Sequence, residues 1–303
     1  MQILSLASSR FTFSRTSKMS ARLGRVIKTN AEYPIKKALR PIKFYIKSLT
    51  VAKTFLNYFE VTSELSNEDF DAMCRLRHEV YCKELGFAFN SQEEKELDQY
   101  DKHAKFCVVK RKSTGEVVGA VRFVVIEQAN HSLPIESTCN TYFEDCALLP
   151  QCFNSDEVAE VSRLVIAQKH RKKNIKGRTR VNKHYQCKKS SDKTTKYEKS
   201  ATDFQAVNAQ DRQELKNFKF IAVALYLGTM IIAKNTNRPH GFIITTPQLA
   251  RSLACFGIQL KRIGHLYEYT GMRAPYYIDG EKTQRKLHGG FKRFLNVIET
   301  SMA

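Results

Sequence analysis

Several things the chain lacks narrow its function before any motif is considered. None of its eight cysteines forms a Cys-x-x-Cys pair, and no Cys/His spacing of a zinc site occurs. That argues against a zinc or dithiol centre and predicts reduced thiols in a cytosol-like, cytoplasmic setting. The longest apolar run, Phe220 to Ala233, falls short of the roughly twenty residues a membrane helix needs, so a buried core helix is expected there. No Gly-x-Gly-x-x-Gly follows a predicted strand, which disfavours a doubly wound nucleotide fold. The first thirty residues are rich in Ser and Arg and free of acid, but lack the apolar core of a secretory signal. They resemble an organelle transit peptide or a basic flexible tail.

Acid is scarce only in places. Residues 1–53 hold twelve Lys or Arg against Glu32 alone, and residues 168–200 hold thirteen against Asp192 and Glu198. These two blocks account for the whole net charge of +20, so the rest of the chain is close to neutral. The expectation is a basic, flexible N-terminal extension over 1–56 and a single domain over 57–303, interrupted by a Lys-rich insertion at 168–211. Such blocks favour acidic partners: nucleic acid, an anionic membrane surface or an acidic carrier protein. They are equally compatible with solvated segments that have no dedicated partner.

Within the domain, Tyr58 to Thr62 reads as a short strand and Asn67 to Leu85 as a helix capped by Ser66 and ended by Gly86. Lys105–Lys110 and Val117–Ile126 form a predicted hairpin, with a short helix expected near Thr141 and a strand over Glu157–Ile166. A long helix is expected from about Arg212 to Asn235, then a strand over Phe242–Thr246 and a helix opened by Pro247. Ile258–Ile263 and Leu266–Thr270 read as a final strand pair, followed by a closing helix from Thr283. Met272 to Gly280 reads as either a flap or a surface turn. This order predicts a mixed α/β or α+β domain.

The chemistry concentrates in two charged motifs on otherwise apolar elements. The first, Glu96-Leu97-Asp98-Gln99-Tyr100-Asp101, follows the first helix. The second, Glu160-Val161-Ser162-Arg163, lies on a predicted buried strand. Burying these charges is costly unless each finds a partner. Strict strand alternation puts Glu160 and Arg163 on opposite faces, so a common site for both requires a bulge.

Taken together, Leu76-Arg77 through Gly86-Phe87, Asp98 and Asp101, Gly119 through Arg122, Glu160 through Arg163, Phe242 through Thr246 and Arg262-Ile263-Gly264 resemble the acyl-homoserine-lactone (autoinducer) synthases. They also resemble the N-acyl amino acid synthases of the GNAT superfamily. Phe87 stands where those enzymes usually have tryptophan. Leu133-Pro134-Ile135-Glu136 and Met272 through Gly280 look most like the acyltransferases that accompany PEP-CTERM/exosortase systems. The resemblance implies a GNAT acyl-CoA N-acyltransferase-like fold and transfer of a long acyl group to the amine of an amino acid or related small acceptor. The donor would be an acyl-carrier-protein or acyl-CoA thioester serving as co-substrate, with no tightly bound cofactor and no metal. Arg171 to Gly177 departs from the usual glycine-rich pyrophosphate loop, which fits a carrier-protein donor better than acetyl-CoA.

On this reading Glu160 is the base, and Asp98 and Asp101 bind the acceptor ammonium or anchor arginines. Arg77, Arg122 and Arg163 neutralise those acids or hold an acceptor carboxylate, while Phe87, Ser162, Thr245 and Thr246 contact substrate. All are expected around one cavity beside an apolar channel. Cys82 reads as a buried thiol rather than a nucleophile. Two rivals stay open: an inactive scaffold that binds nucleic acid or membrane through the basic blocks, and a lysine acetyltransferase.

Overall fold

The computed structural model describes residues 52, 54–89, 91–128, 131–139, 141–171, 214, 217–269 and 271–302. Nearly all of the predicted N-terminal extension, and the Lys-rich insertion from 172 onward with its departure from the pyrophosphate loop, lie outside the described residues.

Strand β1 (Phe59–Thr62) leads to helix α1 (Asn67–His78), whose cap is Ser66: its hydroxyl accepts from the Asp69 amide at 3.1 Å. The α-helix predicted to run to residue 85 instead widens into a π-helical turn over Glu79–Glu84, with the Leu85 amide donating to the Val80 carbonyl. Gly86 then turns the chain at φ +70°. A segment expected to be a polar loop forms a small hairpin of β2 (Ser91–Gln92) and β3 (Lys95–Glu96). The main sheet continues with the antiparallel hairpin of β4 (Ala104–Arg111) and β5 (Val117–Val125), a short helix α2 (Pro134–Cys139) and strand β6 (Val158–Ile166).

Helix α3 (Ile221–Asn235) follows a 3-10 turn at Phe218–Phe220. Glu214 and Asn217 ahead of that turn are also helical, and the predicted start at Arg212 lies outside the described residues. Strand β7 (His240–Thr245) and helix α4 (Pro247–Ala254) come next. Two short strands, β8 (Lys261–Arg262) and β9 (Tyr267–Glu268), were expected to pair with each other. Both pair instead with β10 (Met272–Asp279), the segment read as a flap or a turn. The closing helix is split into α5 (Gly280–Lys286) and α6 (Gly289–Met302).

The sheet order is β1-β4-β5-β6-β7-β10-β8, with β9 beside β10, and every pairing is antiparallel except β6 with β7. Every residue of β5 is buried, which its apolar run, broken only by Arg122, anticipates for a strand covered on both faces. Met73, Cys74, Leu76 and Val80 of α1 pack with Phe106, Val108 and Ala120 on one face. On the other, α3 lies close: a Cβ placed on Gly228 would come 2.3 Å from the Cys107 sulfur. Helix α3 is thus the core helix expected from its apolar run, and no helix among the described residues is long and apolar enough to cross a membrane.

Candidate active site

Strands β6 and β7 run parallel only from Val158 to Glu160, the last partners being Glu160 and Phe242. Beyond that point they part, and β6 has no strand on its β7 side among the described residues. Further along, β6 carries an extra residue: Arg122 faces Ser162 and Ala120 faces Val165, so two residues of β6 oppose Val121 alone. Arg163 holds φ +53° in this bulge, a left-handed conformation unusual for arginine. The bulge turns Arg163 onto the face already occupied by Glu160 and Ser162, the one that packs toward α1.

The gap between the diverging strands is a cleft of about 180 Å³. Glu160, Ser162 and Arg163 line it from β6, and Thr245 lines it from β7. Tyr81, Phe87, Phe89 and Tyr269 form an aromatic wall, with Tyr81 stacked on Phe87 at 5.6 Å between ring centres. The Tyr81 hydroxyl donates to the Leu164 carbonyl at 3.0 Å, tying the π-helical turn to the bulge. A second cavity, about 230 Å³, lies against α3 and α5; Val161 lines both.

Glu160 is 2% exposed. Its Oε2 accepts from the Ile135 amide at 2.6 Å. Burial pushes its carboxyl up to about 8, against the opposing pull of that amide and of Arg122 and Arg163. Such a group is protonated at neutral pH and ready to lose its proton just above it. That places it within reach of an α-amino group, whose ordinary pKa is about 7.7–8.0.

The other charges form a closed network. Arg77 donates through Nε to Glu96 at 2.5 Å and through both terminal nitrogens to Asp101, at 2.7 and 3.1 Å. Arg122 reaches Asp98 at 2.5 Å, Asp101 at 3.1 Å and the Ser162 hydroxyl at 3.1 Å. Arg163 reaches Glu96 at 3.0 Å and Asp98 at 2.9 Å, and its guanidinium sits 4.3 Å over the Phe89 ring. Three cations therefore meet three carboxylates, and each is shared by two partners of opposite sign. Burial works to raise Asp101, but hydrogen bonds and charge from Arg77, with Arg122 behind it, hold its carboxyl below the ordinary value.

The three-residue spacing of Asp98 and Asp101 has a local cause as well. Asp98 caps the 3-10 turn Gln99–His103 by accepting from the Tyr100 amide, while Asp101 reaches back to the Asp98 amide at 2.8 Å. This reciprocal arrangement is a capping box.

The structure thus brings together nine of the ten sequence-predicted residues, but divides them. Glu160, Phe87, Ser162, Arg163 and Thr245 line the cleft; Arg77, Arg122, Asp98 and Asp101 stand behind it. Arg77 and Arg122 are each 1% exposed and saturated by acids, so neither is placed to hold an acceptor carboxylate. Asp98 and Asp101 are anchors for arginine, one of the two roles expected of them. Thr246 does not line the cleft: its hydroxyl caps α4 by accepting from the Leu249 amide at 3.2 Å. Thr246→Ala is expected to cost about 1 kcal/mol of stability and leave KM unchanged, as thermal melts and steady-state kinetics would show.

Besides the aromatic and aliphatic lining residues, two charged residues were missed as candidates. Glu96, 1% exposed, bridges Arg77 and Arg163, and its place in the acidic motif beside a burial-prone arginine was the available signal. Arg273 lines the cleft from β10, in a segment that the sequence left undecided.

A family model described as an acetyltransferase (GNAT) domain matches residues 76–180, about a third of the chain. This stretch spans α1 from Leu76 through β6, and the sheet described above is GNAT-like. Among solved structures, TofI in a ternary complex with an inhibitor and MTA is similar with a TM-score of 0.49 at 14% identity, covering 78% of this chain and 96% of its own. The CoA-dependent acyl-homoserine lactone synthase BjaI, with SAM and isopentyl-CoA, scores 0.49 at 12% identity, covering 80% and 89%. FeeM, an N-acyl amino acid synthase from uncultured soil microbes, scores 0.46 at 13% identity, covering 76% and 95%. No curated protein matches the chain.

Proposed function

We propose that this protein is an acyltransferase that moves a long acyl group from a thioester to the amine of an amino acid or a related small acceptor. The observation that carries the reading is Glu160: a buried carboxyl, poised near 8, at the vertex where β6 and β7 part. The amine nitrogen attacks the thioester carbon, forming the C–N bond as the C–S bond breaks. Its proton passes to Glu160 in the ionised form that grows as pH approaches 8, directly or through one water, and then to the departing thiolate, so a free thiol leaves. Backbone amides of the bulged β6 segment are the candidate donors to the developing oxyanion. The aromatic wall and Ile243, Ile244 and Leu249 supply the apolar surface an acyl chain needs.

The donor we favour is an acyl carrier protein, with acyl-CoA second, because such carriers are acidic and residues 1–53 and 168–200 are strongly basic. The resemblance of residues 133–136 and 272–280 points to the branch that accompanies PEP-CTERM/exosortase systems. Both segments border the site: the Ile135 amide meets Glu160, and Arg273 lines the cleft.

Mass spectrometry of lipid extracts from cells overproducing the protein is expected to show a new N-acylated amine that disappears with Glu160→Gln. Its absence would sink the transfer reading. With purified protein, raising salt is expected to raise KM for the carrier-protein donor more than for acyl-CoA; equal sensitivity would remove basic steering. Deleting residues 1–51 and 172–200 is expected to weaken carrier affinity and leave turnover of acyl-CoA intact, whereas a nucleic-acid or membrane binder would lose its activity.

A further inference from the structure

Leu133-Pro134-Ile135-Glu136 opens α2 at the edge of the cleft, which Pro134 lines. The first turn of a helix leaves its leading amides without the usual partners. Here each is accounted for. The Leu133 amide donates to the Glu136 carboxylate at 2.7 Å, and the Glu136 amide donates to the Leu133 carbonyl at 3.0 Å. Pro134 has no N–H and a fixed φ. That leaves the Ile135 amide, which donates to Oε2 of Glu160 at 2.6 Å. The side chains of Leu133 and Ile135 are both fully buried in the core beneath.

The reciprocal bonds between Leu133 and Glu136 fix where the amide between them points. Without the Glu136 carboxylate, the Leu133 amide would lose its partner and turn toward water, drawing the Ile135 amide with it. That amide favours the ionised form of Glu160, together with Arg122 of β5 and Arg163 of β6, and against burial and the charge of Asp98. Cys139 of α2 also faces Glu160, but burial keeps its thiol protonated. Phe242, the β7 partner of Glu160, carries no charge. By charge alone, losing a nearby carboxylate makes Glu160 easier to ionise, whereas losing the amide makes it harder. The two effects have opposite signs.

We infer that Glu136 is a positioning residue for Glu160: its carboxylate closes the turn from Leu133 to Glu136 and thereby aims the Ile135 amide at the carboxylate that takes up the proton. The inference rests on the transfer reading above for its kinetic consequence. The contact itself is measured without turnover.

The test titrates Glu160 in the full-length protein by carbon NMR of labelled glutamate, its resonance assigned by loss in Glu160→Gln. Glu136→Met keeps the length of the side chain and removes the acceptor. It is expected to raise the Glu160 midpoint by about one pH unit, on the scale of one hydrogen bond to a charged group. Glu136→Gln leaves a carbonyl for the Leu133 amide and is expected to rescue the wild-type midpoint. With acyl-CoA as donor, Glu136→Met is expected to lose about tenfold in kcat at pH 7, to regain it above about pH 10, and to keep KM within about twofold. A Glu160 midpoint that stays in place or falls, with only the melting temperature lowered, would reduce Glu136 to a structural cap and overturn the inference. Should Glu136→Met fail to fold, Glu136→Ala, a better helix former, carries the same expectation and the same refutation. In wild type the Ile135 amide proton is expected to titrate together with the Glu160 carboxyl, and a flat signal sinks the contact. Should no amine be turned over at any pH, the transfer reading falls, while the titration still decides the positioning.

Discussion

Glu160→Gln is expected to lower kcat by about 10²-fold or more and, in the same protein, to raise the melting temperature at pH 8 to 9. The two effects share one cause. Burial raises the Glu160 carboxyl to about 8 in the folded protein, against 4.5 for the ordinary group. Between those two values the unfolded chain has released the proton and the folded chain still holds it. Stability attributable to this group is therefore full below pH 4.5, falls as pH rises toward 8, and is flat above. The slope is about 1.36 kcal/mol for each pH unit of the window. Glutamine carries no charge to desolvate, and its side-chain carbonyl can accept the Ile135 amide that the carboxylate now accepts. The gain at pH 8.5 is a few kcal/mol, with about 2 °C in Tm for each kcal/mol in a domain of this size. The melting curves of the two proteins are expected to converge near pH 4.5 and separate steadily to pH 8. Parallel Tm-versus-pH profiles would show that Glu160 is not held in a raised state, and near-normal turnover would remove it as the base. A residue that destabilises its own fold while serving the reaction is the pattern expected of a catalytic group.

What could be read from the chain, and what could not, follows from the kind of constraint involved. Charges on apolar elements demand partners, so Arg77, Asp98, Asp101, Arg122 and Arg163 were recognisable as a set, and the alternation argument on β6 called for a bulge before any coordinates. The roles within the set were not readable. Whether an arginine meets a substrate or a carboxylate of its own chain depends on counting acids in three dimensions, and Glu96 balances the count only through a two-residue strand too short to show periodicity. The GNAT-like fold was legible from element order and motif. β10 was not, because Pro275 argues against an interior strand. The structure shows why it is tolerated: β9 pairs with Met272 and Arg273, β8 with Tyr276 and Tyr277, and Pro275 falls in the gap between them, where its carbonyl accepts from the Ile263 amide and no partner is needed for the missing N–H. That gap is held by a close approach, since a Cβ on Gly264 would lie 2.2 Å from the Tyr142 carbonyl oxygen. Arg273, carried on the same strand, was hidden with it.

Arg77→Met is expected to be the most destabilising single change in the network, by about 3–5 kcal/mol, because it strands carboxylates that are already out of water. In the native protein Arg77 makes one bond to Glu96 and two to Asp101, and all three side chains are nearly inaccessible. Without it, Glu96 retains Arg163 and Asp101 retains Arg122, leaving three acids to share two cations. The acid limb should move with it. Asp101 sits below the ordinary carboxylate value in the folded state, so its contribution is complete above about pH 4 and lost as pH falls through the depressed folded value. Removing Arg77 takes away the largest force lowering that value, so acid unfolding is expected at higher pH. Adding Glu96→Gln restores the balance of two acids to two cations, with Asp98 and Asp101 shared between Arg122 and Arg163. The double variant is therefore expected to recover about 1–3 kcal/mol of the loss, measured as urea midpoints at constant m-value. Additive losses would mean that the six charges act as independent surface pairs. A positive coupling with no recovery of turnover would place the network's main contribution in orienting the β6 bulge, which it holds through Arg163 and through the bond from Arg122 to the Ser162 hydroxyl.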